Sequence, residues 1–153
     1  MKKIIFIFLI VLIINACNKD DQIKNKIIGT WTIDKFYIDN VDSTDEYFSK
    51  LGCQIEFLED IYNGDAYYLN LINCNNNKIY NGFWCLAHDN NWIVIDFFKD
   101  STFINHIGPF GEDRDGTWTI VNLTSNEAKL TADCWYDNWG IGSRNFILEM
   151  TKQ

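Results

Sequence analysis

From residue 29 onward, apolar and polar positions alternate in short runs separated by Asn, Asp and Gly, the period-two pattern of half-buried strands. The runs predict strands near 30–38, 53–59, 66–73, 78–86, 92–99, 102–107, 117–123, 127–133 and 144–151. Asn75-Asn76-Asn77, Lys99-Asp100-Ser101 and Thr124-Ser125-Asn126 read as hairpin loops, because Asn and Asp accept left-handed backbone and bond their own main chain. No crossover helices separate the strands, which excludes a parallel α/β sheet. Ser43 with Glu46 reads as a capping box and Gly52 as a stop, so one short helix is expected over 44–51. The fold class expected is therefore all-β, an antiparallel up-and-down meander. Closing it into a barrel of eight or nine strands hides both edges, with a flattened sandwich as the alternative. Which face looks inward is left open by the pattern. Tyr67, Leu69 and Leu71 oppose Tyr68, Asn70 and Ile72, and Trp92, Val94, Asp96 and Phe98 oppose Ile93, Ile95 and Phe97.

A different pattern opens the chain. Met1-Lys2-Lys3 precedes an unbroken apolar run from Ile4 to Ile14, too short for a bilayer span but suited to a signal peptide. Ile14-Asn15-Ala16-Cys17 resembles the lipobox of bacterial lipoproteins, which implies cleavage after residue 16 and acylation of Cys17. Asn18-Lys19-Asp20-Asp21 is similar to the surface-export signal of Bacteroidetes lipoproteins. The organisation expected is a signal peptide at 1–16, a lipidated cysteine and polar tether at 17–26, and one domain at 27–153. Location on the outer membrane, facing the cell surface, follows from the resemblance.

Composition narrows the partners. The chain of 153 residues is 47% hydrophobic with one proline, enough for one packed core and too apolar for disorder. Its net charge is −8, and losing Lys2 and Lys3 brings it to about −10. Nucleic acid is a poor partner for such a surface. Besides Cys17 there are four cysteines, Cys53, Cys74, Cys85 and Cys134. An even number in an exported chain favours disulfides, and the lack of a CxxC pair or a nearby histidine argues against zinc.

Ile28-Gly29-Thr30-Trp31-Thr32-Ile33 carries a G-x-W at the head of the first strand and resembles the lipocalin signature. Gly116-Thr117-Trp118-Thr119-Ile120-Val121-Asn122-Leu123, with Leu130, is similar to a segment of lipocalin-like domains on Bacteroidetes lipoproteins. The resemblance implies a barrel whose closed end is plugged by the signature tryptophan. Gly-Thr-Trp-Thr-Ile occurs at 29 and again at 116, which two strands entering from one end would explain, with Trp31 and Trp118 both capping the bottom of the core. The family's basic residue over the tryptophan has Arg144 as its candidate, although Arg144 precedes the last strand and the family's residue follows it. Nine strands against the family's eight is a second departure. If all nine alternate in direction, Cys53 pairs with Cys74 and Cys85 with Cys134. Without 102–107, Cys134 moves to the opposite end.

Catalytic chemistry finds little support. His88 and His106 are the only histidines, and no serine or cysteine nucleophile sits in a motif with either. Glu56 and Asp96 lie inside strands among apolar residues, where burial would raise their pKa or, more simply, they face water. Glu112-Asp113-Arg114-Asp115-Gly116 lacks the ligand spacing of a calcium loop. Asp42-Ser43-Thr44 and Asp100-Ser101-Thr102 are similar to the O-glycosylation motif of Bacteroidetes exported proteins. No catalytic residue, metal or cofactor is expected. Trp135, Tyr136 and Trp139 form an aromatic loop suited to stacking on a sugar or closing over an apolar ligand. The expected function is non-catalytic binding of a small hydrophobic or amphipathic molecule. The alternative is a protein- or glycan-interaction module, an inhibitor, adhesin or assembly partner, with a filled barrel.

Overall fold

Alternation resolves into a sheet that closes on itself. The computed structural model describes residues 19–48, 53–74, 78–98, 116–136 and 141–153, with backbone alone at 19–20, 47, 73–74, 78–80, 134–136 and 141–143. Helix α1 (Lys19–Ile27) leads into β1 (Gly29–Ile38), β2 (Val41–Asp42) and the short helix α2 (Thr44–Tyr47). Then follow β3 (Gln54–Asn63), β4 (Ala66–Cys74), β5 (Lys78–Ala87), β6 (Trp92–Phe97), β7 (Thr117–Leu123), β8 (Glu127–Tyr136) and β9 (Ile141–Lys152). All pairings are antiparallel. β1 and β3–β9 run in chain order around an eight-stranded barrel, which β1 closes against β9, while β2 adds to the rim of β1.

The inward face is the one carrying Ile55 and Phe57, Leu69 and Leu71, Trp84, Ile93, Ile95 and Phe97, Trp118, Leu130, and Phe146, Leu148 and Met150, all buried. Burying such side chains provides roughly 1.5–3 kcal/mol each against the entropy of ordering the chain. On β1 the inward parity changes within the strand. Trp31 and Ile33 point in, then a bulge at Asp34 resets the register from Ile33↔Met150 to Lys35↔Glu149, and Phe36 points in.

Three expectations are corrected. Residues 18–26 read as a polar tether, yet Lys19–Ile27 is helical, because Ile23 and Ile27 share a face that packs on the barrel. Helix α2 has no side-chain bond from Ser43 at its cap; Thr44 N donates to Asp42 Oδ1 instead, at 3.1 Å. The extra strand among the described residues is β2, formed because Asp39 and Asn40 take left-handed φ of 52° and 65° in a two-residue hairpin turn. The segments 49–51 and 102–107 lie outside the described residues.

Strand directions define two ends. Helix α1, Gly29, the turns at 64–65, 88–91 and 124–126, and the end of β9 share one end, the floor. Connections 49–52, 75–77, 99–115 and 137–140 leave from the other, the mouth. β7 consequently runs opposite to β1. The two Gly-Thr-Trp-Thr-Ile copies do not enter from one end, and Trp118 reaches the core opposite Ile93.

Direction also decides the cysteines. Cys53 is buried and disulfide-bonded, whereas Cys85 is a free thiol. The expected Cys85–Cys134 bridge is wrong. Cys85 lies near the floor opposite Val94, while Cys134 lies near the mouth of β8, beyond β6 and β7. Three inter-strand steps of about 4.8 Å already exceed the Cα separation of at most about 6.8 Å that a disulfide allows.

At Gly82 the β5 and β6 backbones approach so closely that a Cβ would stand 2.0 Å from Asp96 O and 2.9 Å from Phe97 Cα. Gly82→Ala is expected to cost about 1–3 kcal/mol of stability by overpacking, read as a lower denaturant midpoint at unchanged slope. Alkylation of the unreduced protein followed by peptide mapping should mark Cys85, slowly at neutral pH because burial pushes its thiol pKa up.

Candidate functional site

The barrel interior is built upward from its floor. Trp31 is 1% exposed, and its indole Nε1 donates to Ile27 O at 2.6 Å, tying the end of α1 to the start of β1. Lys152 Nζ lies 5.4 Å from the centroid of the Trp31 ring and donates to Lys26 O at 2.8 Å. Gly29 makes room for it: with φ of 128°, a Cβ there would meet Lys152 Cε at 2.8 Å. Burial pushes the Lys152 pKa below the ordinary lysine value, while the ring face favours its cation. The basic residue over the signature tryptophan is therefore Lys152, not Arg144. Arg144 begins its strand at the mouth, with Nε 3.9 Å from Asp39 Oδ2.

Above the plug, aromatic side chains fill the lower interior. Trp84 is fully buried, edge-on to Phe57 at 5.6 Å and beside Tyr67 at 5.0 Å, with its Nε1 donating to Leu58 O at 3.1 Å. Trp31, Trp84 and Trp118 thus share one core, with an indole donor satisfied by backbone carbonyl at two of them. Between α1, Trp31, Phe57, Ile93, Ile120 and Met150 is an apolar cavity of about 10 Å³, scarcely one water and far below the hundreds of Å³ an organic ligand occupies. Large side chains pack this floor closely around that cavity. Trp84 was not legible beforehand because both faces of β5 carry aromatic residues; only closure shows that Trp84 points in and Phe83 out.

The upper interior is lined by Phe36, Phe146, Phe97, Leu71 and Ala132. Phe36 stacks on Phe146 at 6.0 Å and meets Phe48 edge-on at 5.1 Å. Phe48 follows α2, which a polar corner holds in place. Asp42 accepts from Lys35 Nζ and Thr44 Oγ1, both at 2.6 Å, and Thr44 Oγ1 accepts from Phe36 N at 2.8 Å. These donors hold the Asp42 pKa down at about 2.

β8 places Trp135 and Tyr136 on the mouth rim, where Tyr136 pairs with Ile141, so the aromatic segment stands at the end opposite the tryptophan plug. Trp139, Cys17, His106, the 112–115 cluster and the motif at 100–102 lie outside the described residues. Glu56 and Asp96 are on the outer face, Glu56 accepting from Asn70 Nδ2 at 2.8 Å. His88 is exposed in the 88–91 turn, edge-on to Trp92 at 4.0 Å. Among the described residues no three His, Cys, Asp or Glu side chains gather as metal ligands.

The closed, eight-stranded antiparallel barrel matches a known architecture. A solved structure of apocrustacyanin C2, homologous to the apoproteins A1 and C1, superposes with a TM-score of 0.51 and 14% identity. The match covers 85% of this chain and 62% of that one. The fold is lipocalin-like. At this identity the likeness concerns architecture alone. No protein-family model matches the sequence, and no curated protein matches it. In a lipocalin-like barrel of this kind the closed end is the floor of Trp31 and Lys152, and the mouth is ringed by α2, β2 and the upper end of β8.

Lys152→Ala should lower stability by about 1 kcal/mol through the lost cation–π contact and the lost bond to α1, while Arg144→Ala should change it by less than about 0.5 kcal/mol. Equal effects in thermal melts would contradict the assignment. For Asp42, folded below its ordinary value of 3.8, the stabilisation is present above that value and lost as pH falls through about 2. The α2 corner should therefore persist at pH 3, and NMR titration of the Asp42 carboxyl should give a midpoint near 2.

Proposed function

We propose that this chain is a lipid-anchored protein, exported to the outer membrane surface, whose lipocalin-like barrel binds a small hydrophobic or amphipathic molecule without catalysing a reaction. The observation that supports the binding reading is the lipocalin-like barrel itself, closed by the β1–β9 ladder around an apolar and aromatic inner wall, with the backbone of Trp135 and Tyr136 at its mouth end. Apolar lining supplies affinity to such a site, and a few polar groups at the rim supply selectivity. The anchor reading rests on Ile14-Asn15-Ala16-Cys17 and the acidic run after it. No helix of the described residues is long and apolar enough to cross a membrane.

With Trp31, Trp84 and Phe57 packed at the floor, the ligand sits toward the mouth. A second reading is favoured by that same packing: a barrel filled by its own side chains, acting through its rim on a protein or glycan. Native mass spectrometry of residues 17–153, incubated with a lipid extract of the host, separates the two. A retained adduct supports binding in the barrel, and a bare mass under every lipid condition rejects it. Trp135→Ala combined with Trp139→Ala should weaken adduct retention about tenfold without moving the melting temperature, as loss of one aromatic wall implies. Unchanged retention would remove the aromatic segment from the site. Cys17→Ser should release the protein from membrane fractions.

A further inference from the structure

We infer that the barrel sits floor-down on the lipid surface, its mouth turned away, with Ile61, Tyr62, Trp92 and Val121 forming a collar in contact with the bilayer; the inference rests on the lipid attachment at Cys17 proposed above. Covalent reach is the first ground. Cys17 precedes Lys19 by two residues, which span at most about 7 Å. Helix α1 is fixed to the barrel. Ile27 is 4% exposed in the core, Trp31 Nε1 bonds its carbonyl, and Lys152 bonds Lys26 O. Lys24 Nζ stands 3.8 Å from Glu59 and 4.4 Å from the Tyr67 ring centroid. A bilayer holding Cys17 thus meets the floor first.

The outer surface supplies the second, independent ground. Among the described residues the exposed large hydrophobic side chains are Val41, Ile61, Tyr62, Tyr68, Trp92 and Val121, and of these Val41 is at the mouth. The others lie toward the floor ends of β3, β4, β6 and β7, one continuous half of the circumference. Ile61 and Val121 are 65% and 56% exposed. Tyr62 stacks on Phe83 and touches Tyr68 and Phe98, each at 5.3 Å, forming a ring cluster that runs up the outside of the sheet from the floor end of β3 to the mouth end of β6. Tyr and Trp rings suit the headgroup layer, having an apolar body and a polar tip. The opposite half is polar, with Lys129–Glu149 at 2.8 Å, Thr151 bonded to Asp34, and Gln153 bonded to Thr32. The barrel therefore leans on its β3–β7 side. Its acidic net charge makes this an apolar contact, independent of anionic lipid.

The test uses the full acylated chain, with Cys85→Ser and with whichever of Cys74 and Cys134 is not bonded to Cys53 also changed to Ser, reconstituted in phosphatidylcholine–phosphatidylethanolamine vesicles. Single fluorophores are attached through Ile61→Cys, Trp92→Cys, Val121→Cys or Val41→Cys, all exposed positions, and vesicles carry a headgroup nitroxide quencher. Emission should fall about twofold or more at 61, 92 and 121 and stay nearly unchanged at 41, because the quencher acts only at the interface. Flotation with the vesicles together with equal quenching at all four positions, or stronger quenching at 41, overturns the orientation and leaves the anchor standing. Failure to float, with the Cys17→Ser variant behaving alike, overturns the anchor and this inference together.

Discussion

Closure of β1 against β9 is the contact on which the rest of the barrel depends, and it is fastened at the Trp31 indole. β1 is the one strand hydrogen-bonded to three others, β2, β3 and β9, so its position sets both the first and the last turn of the sheet. Trp31 stands at its base with its ring buried, its N–H bonded to the helix before it and Lys152 of the closing strand across its face. One side chain thereby joins α1, β1 and β9, the elements farthest apart in sequence. An open meander would leave two unpaired edges; this ladder removes them.

Closing the barrel forces large side chains into a narrow interior, and the floor shows the consequence. Three tryptophans and Phe57 are buried in the core, and an apolar cavity of about 10 Å³ lies between Trp31, Phe57 and α1. The mouth half is lined by Phe36, Phe48, Phe97 and Phe146 with Ala132 between them, and is bounded by a corner held by polar bonds at Asp42.

Much of the strand layout was legible. The run at 117–123 coincides with β7, and the other strands of the closed barrel were anticipated to within a few residues at each end, because period-two alternation survives wherever one face is buried. Misreadings came from features with no periodic signature. Two residues suffice for β2, and its only signal is the Asp39-Asn40 dipeptide. Helix α1 looks polar because just Ile23 and Ile27 of its residues meet the core. In the site, Trp31 was legible from G-x-W, while Trp84 and Lys152 were not: β5 has apolar residues on both faces, and a lysine near a C-terminus carries no mark of the ring it covers.

Sequence by itself determined the all-β class, the antiparallel order, the hairpin turn at 124–126 and the tryptophan at the head of β1, since each is encoded within a few neighbouring residues. Tertiary structure alone decided which face looks inward, which cation covers Trp31, and that Cys85 is a free thiol remote from Cys134. All three depend on strand direction and on which strands become neighbours when the sheet closes. Inserting or removing one strand between β6 and β8 reverses the end at which Cys134 lies, without changing a residue near it. Local pattern cannot carry that information, because it arises from pairing between segments more than a hundred residues apart, as at Trp31 and Lys152.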